Sequence, residues 1–182
     1  MSDLDARLFL WCFEKTRNRV FDALMPVLSI AANRGLIQIA GGVAMIAAGM
    51  LSGNEYLVAA ALCMLAGAGA AGVIAEFTIK LFWKRERPFM RFDHVSARVP
   101  HRRLKKRPSF PSGHSAGYMA SAAALGFFYP SLAAVFAAVA LLGGYSRIYN
   151  GVHYPSDVAA GLGIGAACGL GAAILLGPLL IG

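Results

Sequence analysis

The sequence predicts an all-α protein, a polytopic membrane helix bundle with five or six transmembrane helices. Three observations predict it. Hydrophobic residues make up 58% of the 182 residues, against about 45–50% in soluble domains. The mean hydropathy is +0.60. Several apolar runs approach the ~20 residues that cross a bilayer core, and a soluble fold of this composition would lack polar surface.

Residues 1–34 are expected to form an N-terminal amphipathic, interfacial helical region. Val20, Leu24, Val27, Leu28 and Ala31 recur at helical spacing, but the run is short and Arg17, Arg19 and Arg34 flank it. A helix lying in the interface or half inserted fits this pattern; a sixth span is the alternative. The opening MSDLDARLFLW lacks the basic region and small-residue cleavage site of a signal peptide.

Residues 35–182 are expected to form one transmembrane domain. Residues 35–52 make the first firm span, and Gly53-Asn54 supplies a turn. A second span covers about 56–83, interrupted by Glu76 and Lys80. Residues 84–112 form one long polar loop, rich in Arg and Lys and carrying Pro88, Pro100, Pro108 and Pro111. Spans at 115–129 and 131–145 meet at Pro130, and the last span covers 158–182. Gly161, Gly165 and Gly169 leave one face of that helix nearly bare backbone, which lets helices approach closely. Packing within the bundle is the expected use, with a dimer seam the alternative. Cys12, Cys63 and Cys168 lie scattered in apolar surroundings and read as small core hydrophobes rather than disulfide partners or ligands.

The net charge of +8 is carried by residues that border the predicted spans. That placement suits anionic headgroups or phosphate rather than nucleic acid. Threading five spans puts loops 84–112 and 146–157 on one membrane face, and three polar clusters converge there.

In the first cluster, Lys80 and Arg87 stand seven apart, two turns of a continuing helix that Pro88 then ends. Cations inside a span are functional candidates, although Glu76, four residues before Lys80, can neutralise or orient it. The second is Pro111-Ser112-Gly113-His114. Ser112 is a natural N-cap, Gly113 lets a bound group near the backbone, and the free N–H groups of the first turn make an anion site. The third is SRIYNGVHYPSD. Arg147 can fork onto two phosphate oxygens. Asp157, four residues after His153, can accept from one ring nitrogen and leave the other as a nucleophile. Plain helix starts are the alternative for the second and third clusters, with Asp157 merely complementing a dipole.

Together the clusters describe phosphate chemistry without a cysteine or carboxylate group that suggests a metal, so neither metal nor other cofactor is expected. The cations and N–H groups hold a phosphate and stabilise its transition state. His153 attacks phosphorus, His114 protonates the leaving oxygen, and water resolves the phosphohistidine with His114 as base.

These residues resemble the three-part signature of the type 2 phosphatidic acid phosphatases, lipid phosphatases that share their pocket with vanadium haloperoxidases and bacterial acid phosphatases. Lys80 and Arg87-Pro88 supply the first part, residues 111–114 the second, and Ser146-Arg147, His153 and Asp157 the third. The resemblance covers about residues 56–175. It implies a helical membrane bundle and metal-independent hydrolysis of a phosphomonoester or pyrophosphate. His153 would be the nucleophile, Asp157 its partner and His114 the acid; Lys80, Arg87, Ser112, Gly113 and Arg147 would hold the phosphate. Residues 35–182 would then be the catalytic domain.

A pocket at span ends lies near headgroup depth, so a phosphorylated lipid is the expected substrate: a polyprenyl pyrophosphate or phosphate, phosphatidylglycerophosphate, or phosphatidate. Membrane lipid is the other expected partner, and the oligomeric state is left open. A lipid phosphotransferase with the same intermediate is the alternative function, ahead of a haloperoxidase or a lipid-binding scaffold. In this threading all 17 Lys and Arg lie on or at the edge of the catalytic face, which points that face to the cytoplasm. A periplasmic or extracellular face, as in many bacterial relatives, is the alternative. The basic loop 98–107 can clamp substrate or bind anionic lipid.

Overall fold

A computed structural model describes residues 3–31, 35–100 and 104–182, and among these every regular element is helical. Arg34 and residues 101–103 of the basic loop lie outside the described residues.

The N-terminal region forms two helices rather than one, α1 (Asp3–Lys15) and α2 (Arg19–Ala31). Asp3 and Asp5 in the first turn of α1 and Lys15 in its last complement the helix dipole. The break falls before Asn18, whose side chain accepts from the Phe21 N–H at 2.9 Å and caps α2. Each helix has 13 residues, roughly 20 Å at about 1.5 Å per residue, short of a hydrocarbon core of about 30 Å. Helix α1 buries Phe9 and Phe13 against Phe92, Val95, Ile148 and Tyr154. Helix α2 lies along the fourth helix of the bundle and buries Met25 and Ser29.

The bundle consists of α3 (Leu36–Ser52), α4 (Glu55–Phe82), α6 (Gly113–Phe128), α7 (Ala133–Tyr149) and α8 (Pro155–Ile181). A single turn, α5 (Pro88–Arg91), sits in the long loop. The stretches Glu55–Phe82, Pro130–Tyr149 and Pro155–Ile181 are long and apolar enough to cross a membrane, and α3 is a shorter apolar helix. Large apolar side chains point outward: Phe77 is 66%, Phe82 83% and Leu175 71% exposed. Small ones point inward, with Ala59, Ala60, Ala71, Ala116, Ala120 and Ala173 buried. Lipid tails are as apolar as leucine, so in a bilayer close backbone packing holds helices together. The protein is an integral membrane protein.

The most extensive contact joins α6 and α8, with α4 against both. Methyl groups built on Gly161, Gly165 and Gly169 would collide with the carbonyl oxygens of Ser112, Ala116 and Ala120. These glycines serve packing within the bundle. Cys12, Cys63 and Cys168 are free, and Cys63 is buried with Ala59, Ala60, Phe128 and Ala173.

One expectation fails. Helix α4 does not carry Lys80 on to Arg87; it stops at Phe82, and Trp83 is extended (φ −109°, ψ 90°). The run Lys84-Arg85-Glu86-Arg87 is too charged to continue a span, and a residue before proline is pushed out of the helical region. Arg87 accordingly takes φ −81°, ψ 153° as the N-cap of α5. It reaches the site from a loop rather than along a helix face.

Candidate active site

Helix α4 delivers Lys80 through an irregularity. Residues Val73–Ile79 form a π-helical segment, a distortion frequent at functional sites. Lys80 follows it, buried, and its ammonium donates to Glu76 Oε1. The other Glu76 oxygen accepts from Arg107 Nη1 at 3.2 Å.

Arg87 is 2% exposed. Its Nη1 donates to the Val152 carbonyl at 2.9 Å, its Nη2 to the Pro108 carbonyl at 3.0 Å, and its Nε to the carbonyls of Arg107 and Leu104 at 3.1 and 3.2 Å. Nη1 also lies 3.1 Å from His153 Nε2. Burial lowers the guanidinium to about 10, with the carboxylates of Glu76 and Asp157 opposing the fall. It stays charged at neutral pH.

His153 sits in the short link between α7 and α8. Gly151 turns the chain there with φ 73°, a conformation that strains any residue with a Cβ. The His153 N–H donates to the Arg147 carbonyl at 3.3 Å. A guanidinium can only donate, so His153 Nε2 accepts from Arg87 and carries the lone pair. The proton is left on Nδ1, 3.4 Å from Asp157 Oδ2. Burial, then the charges of Arg87, Arg147 and Lys80, hold His153 well below the usual histidine value. The ring is neutral, with its lone pair turned toward the cations.

Asp157 occupies the first turn of α8, where Oδ2 accepts from the Tyr154 N–H at 2.8 Å. Its backbone carbonyl accepts from the Ser112 N–H at 2.9 Å. That bond ties the second cluster to the third. Ser112 caps α6: its Oγ accepts from the Ser115 N–H at 3.4 Å and the Ser115 hydroxyl at 2.8 Å. Gly113 opens the helix with no side chain to cover its N–H groups, and the Glu76 carboxylate lies beside it. His114 follows on the first turn. Arg147, in the last turn of α7, is 3% exposed and donates through Nη1 to the carbonyl and hydroxyl oxygens of Ser29. Its buried Nε has no partner among the described residues.

Six of the eight residues singled out in the sequence, Lys80, Arg87, Gly113, His114, Arg147 and His153, line one cavity of about 630 Å³. Ser112 and Asp157 stand behind its wall. Toward the bilayer the cavity continues between α3 and α4, past Ile39, Leu65, Val73 and Phe77. A second cavity of about 590 Å³ shares Lys80, Arg87 and Arg107 with it and is lined further by Lys84, Lys105 and Lys106. The arrangement can hold an anion between an apolar slot and a basic, open vestibule.

Three residues were missed by sequence reasoning. Ser109 is fully buried and its hydroxyl donates to Asp157 Oδ2. Arg85 Nη1 donates to Asp157 Oδ1 at 2.6 Å, and its Nη2 pairs with Asp5 of α1. Ser109 stands three residues before Ser112, a weak hint at most; neither Arg85 nor Asp5 carries a local signal.

The protein-family comparison matches residues 56–178 to the PAP2 superfamily. The chain is 48% identical over 58 residues to a lipid A 1-phosphatase of Rhizobium johnstonii, a match covering 32% of this chain and 24% of that one. It is 36% identical over 90 residues to the undecaprenyl-diphosphatase BcrC of Bacillus subtilis, covering 50% and 45%. The matched part therefore spans less than half the length of these relatives. The crystal structure of Aquifex aeolicus LpxE superposes with a TM-score of 0.71 at 23% identity, over 94% of this chain and 95% of that chain, which shows a shared fold. With the family match covering more than half of its length, the chain belongs to the PAP2 superfamily.

Proposed function

We propose that the protein is a membrane lipid phosphatase that hydrolyses a phosphomonoester or pyrophosphate through a phosphohistidine. One observation carries the reading: a single cavity combines Lys80, Arg87, Arg147 and two histidines with an apolar slot between α3 and α4. A soluble phosphoester needs no such slot, whereas a lipid can keep its tail in it. The relatives named above as a lipid A 1-phosphatase and an undecaprenyl-diphosphatase support the substrate class. A polyprenyl pyrophosphate or phosphate, phosphatidylglycerophosphate and phosphatidate are the members to test.

The residues divide the work as follows. The phosphate takes up the free donors at the start of α6, the Arg147 Nε, and Lys80. Arg87 turns from His153 to the phosphate oxygens, which frees the Nε2 lone pair. Nε2 bonds to phosphorus as the bond to the leaving oxygen breaks, and that oxygen takes its proton from His114, whose protonated form the negative charge of the bound phosphate favours. Asp157 holds the Nδ1 proton and stabilises the charged ring that forms. Water then attacks phosphorus, gives its proton to His114, and the P–N bond breaks to release phosphate. Neither metal nor cofactor is required of this donor set.

The test is phosphate release from a panel of lipid phosphates by purified protein in detergent, with EDTA present. Activity that survives EDTA and falls about 10³-fold or more in His153→Ala is expected. Loss of activity in EDTA, or a fully active His153→Ala, overturns the reading.

We place the catalytic face toward the cytoplasm, on the charge asymmetry of the loops, with α1 and α2 lying in the interface beside it. A single cysteine at Ser96 in an otherwise cysteine-free protein tests this; reaction with a membrane-impermeant thiol reagent in intact cells reverses the assignment.

A further inference from the structure

The N-terminal helix lies outside the three signature segments and outside the matched residues 56–178, yet it reaches the proposed catalytic carboxylate. Asp5 on α1 uses both oxygens on the start of α8. Its Oδ1 accepts from the Ser156 N–H at 3.0 Å, and its Oδ2 accepts from the Ser156 hydroxyl at 2.7 Å and from Arg85 Nη2. An N–H of the first turn of α8 is thus capped by a side chain from another helix. Arg85 Nη1 in turn donates to Asp157 Oδ1 at 2.6 Å and to the Ser156 hydroxyl at 2.7 Å. The guanidinium carbon stands 4.0 Å over the Tyr154 ring, and Tyr154 packs on Phe9 of α1.

These bonds divide the Asp157 carboxylate. Oδ1 is taken by Arg85; Oδ2 faces Ser109, the Tyr154 N–H and His153 Nδ1. Arg85 is therefore a cation turned away from the phosphate and toward the carboxylate behind the nucleophile. A free arginine two residues before Arg87 could swing into the basic vestibule that it also borders. Asp5 prevents that by occupying the other side of the fork.

We propose that Asp5 and Arg85 are positioning residues for the His153–Asp157 pair, so that α1 is part of the catalytic unit. The inference rests on the phosphohistidine reading and goes beyond it. Arg85 fixes the plane of the Asp157 carboxylate and shares its charge, which sets how strongly Oδ2 holds the Nδ1 proton while Nε2 attacks. Neither residue touches substrate.

The test compares Arg85→Ala, Arg85→Lys, Asp5→Asn and the double variant Asp5→Asn/Arg85→Ala, in detergent, on a lipid phosphate and on p-nitrophenyl phosphate. The expected result is a loss in kcat of about tenfold or more in Arg85→Ala and Asp5→Asn on both substrates, of the size seen when supporting partners are removed. KM and the inhibition constant of inorganic phosphate stay within about twofold, because the phosphate cage is untouched. Arg85→Lys recovers part of the loss, and the double variant is no slower than the worse single one, since the two residues act as a unit. An unchanged kcat in Arg85→Ala overturns the proposal. So does a rise in the phosphate inhibition constant matching the fall in kcat, which would assign Arg85 to the phosphate site. Losses that multiply in the double variant also overturn it. Thermal midpoints of the variants identify any that have lost the fold, and Arg85→Lys, which keeps the charge, stands in for such a variant. Failure of the underlying reading shows separately, as an active His153→Ala.

Discussion

Arg87 holds the carbonyls of Leu104, Arg107, Pro108 and Val152 as well as facing His153. No lysine could reproduce this, because an ammonium is a point donor without the planar fork. At the same scale, the charges gathered around His153 set a pH signature. The ring is kept neutral well below the usual histidine value of about 6.5 by burial and by Arg87, Arg147 and Lys80. The free protein therefore keeps the proposed nucleophile unprotonated as pH falls through that value. The acid limb of kcat/KM attributable to His153 lies below about pH 6.5. Bound phosphate brings negative charge and favours the protonated ring, so the corresponding limb of kcat lies higher. Paired pH profiles of kcat/KM and kcat check the order of the two limbs. The linkage to stability has a definite sign: the unfolded chain binds this proton first as pH falls, so His153 withdraws stability on acidification.

The contact between α6 and α8 depends on missing side chains. Substituting Gly165 by valine would drive Cβ into the Ala116 carbonyl, and backbone, unlike a rotamer, cannot step aside. We expect Gly165→Val to destabilise by about 1–3 kcal/mol or more. It should also lower activity, because opening this seam stretches the 2.9 Å bond from the Ser112 N–H to the Asp157 carbonyl. Gly163, two residues away, has open space around it, so Gly163→Ala should be neutral or slightly stabilising. Thermal midpoints and activities in detergent distinguish the two. This element was legible in the sequence because a four-residue glycine repeat in an apolar helix leaves a bare face on which another helix packs closely. The end of α4 was not. Counting seven residues from Lys80 to Arg87 assumed an unbroken helix, whereas the helix stops at Phe82 and the charged KRER run leaves it as extended chain. Ser109, Arg85 and Asp5 were invisible for a different reason. Arg85 meets Asp157 and Asp5 across 72 and 80 residues of sequence, and no periodicity encodes such a meeting.

Among the described residues of the bundle, most large apolar side chains face outward while alanines fill the helix contacts, the reverse of a soluble protein. The same distribution opens the slot that receives the proposed lipid. Gly69 and Gly72 line it, and a Cβ at either would meet nothing within 4 Å. Gly72→Leu should fill the slot without disturbing packing. We expect kcat/KM for a long-chain lipid phosphate to fall about tenfold or more, one filled methylene pocket being worth roughly 1–3 kcal/mol. Turnover of p-nitrophenyl phosphate should change little. Equal losses on both substrates would place the tail elsewhere. The family and fold were legible because three short polar segments interrupt apolar helices. The N-terminal third was harder, since α1 earns its place by tertiary contact rather than by hydropathy. That contact has a practical side. Helix α8 has 27 residues, about 40 Å at roughly 1.5 Å per residue, so a label near Ile181 stands a bilayer's thickness from the proposed site. A bulky group fused close to Asp5 would instead press on α1, and on the reading proposed above would make a sound preparation turn over sluggishly.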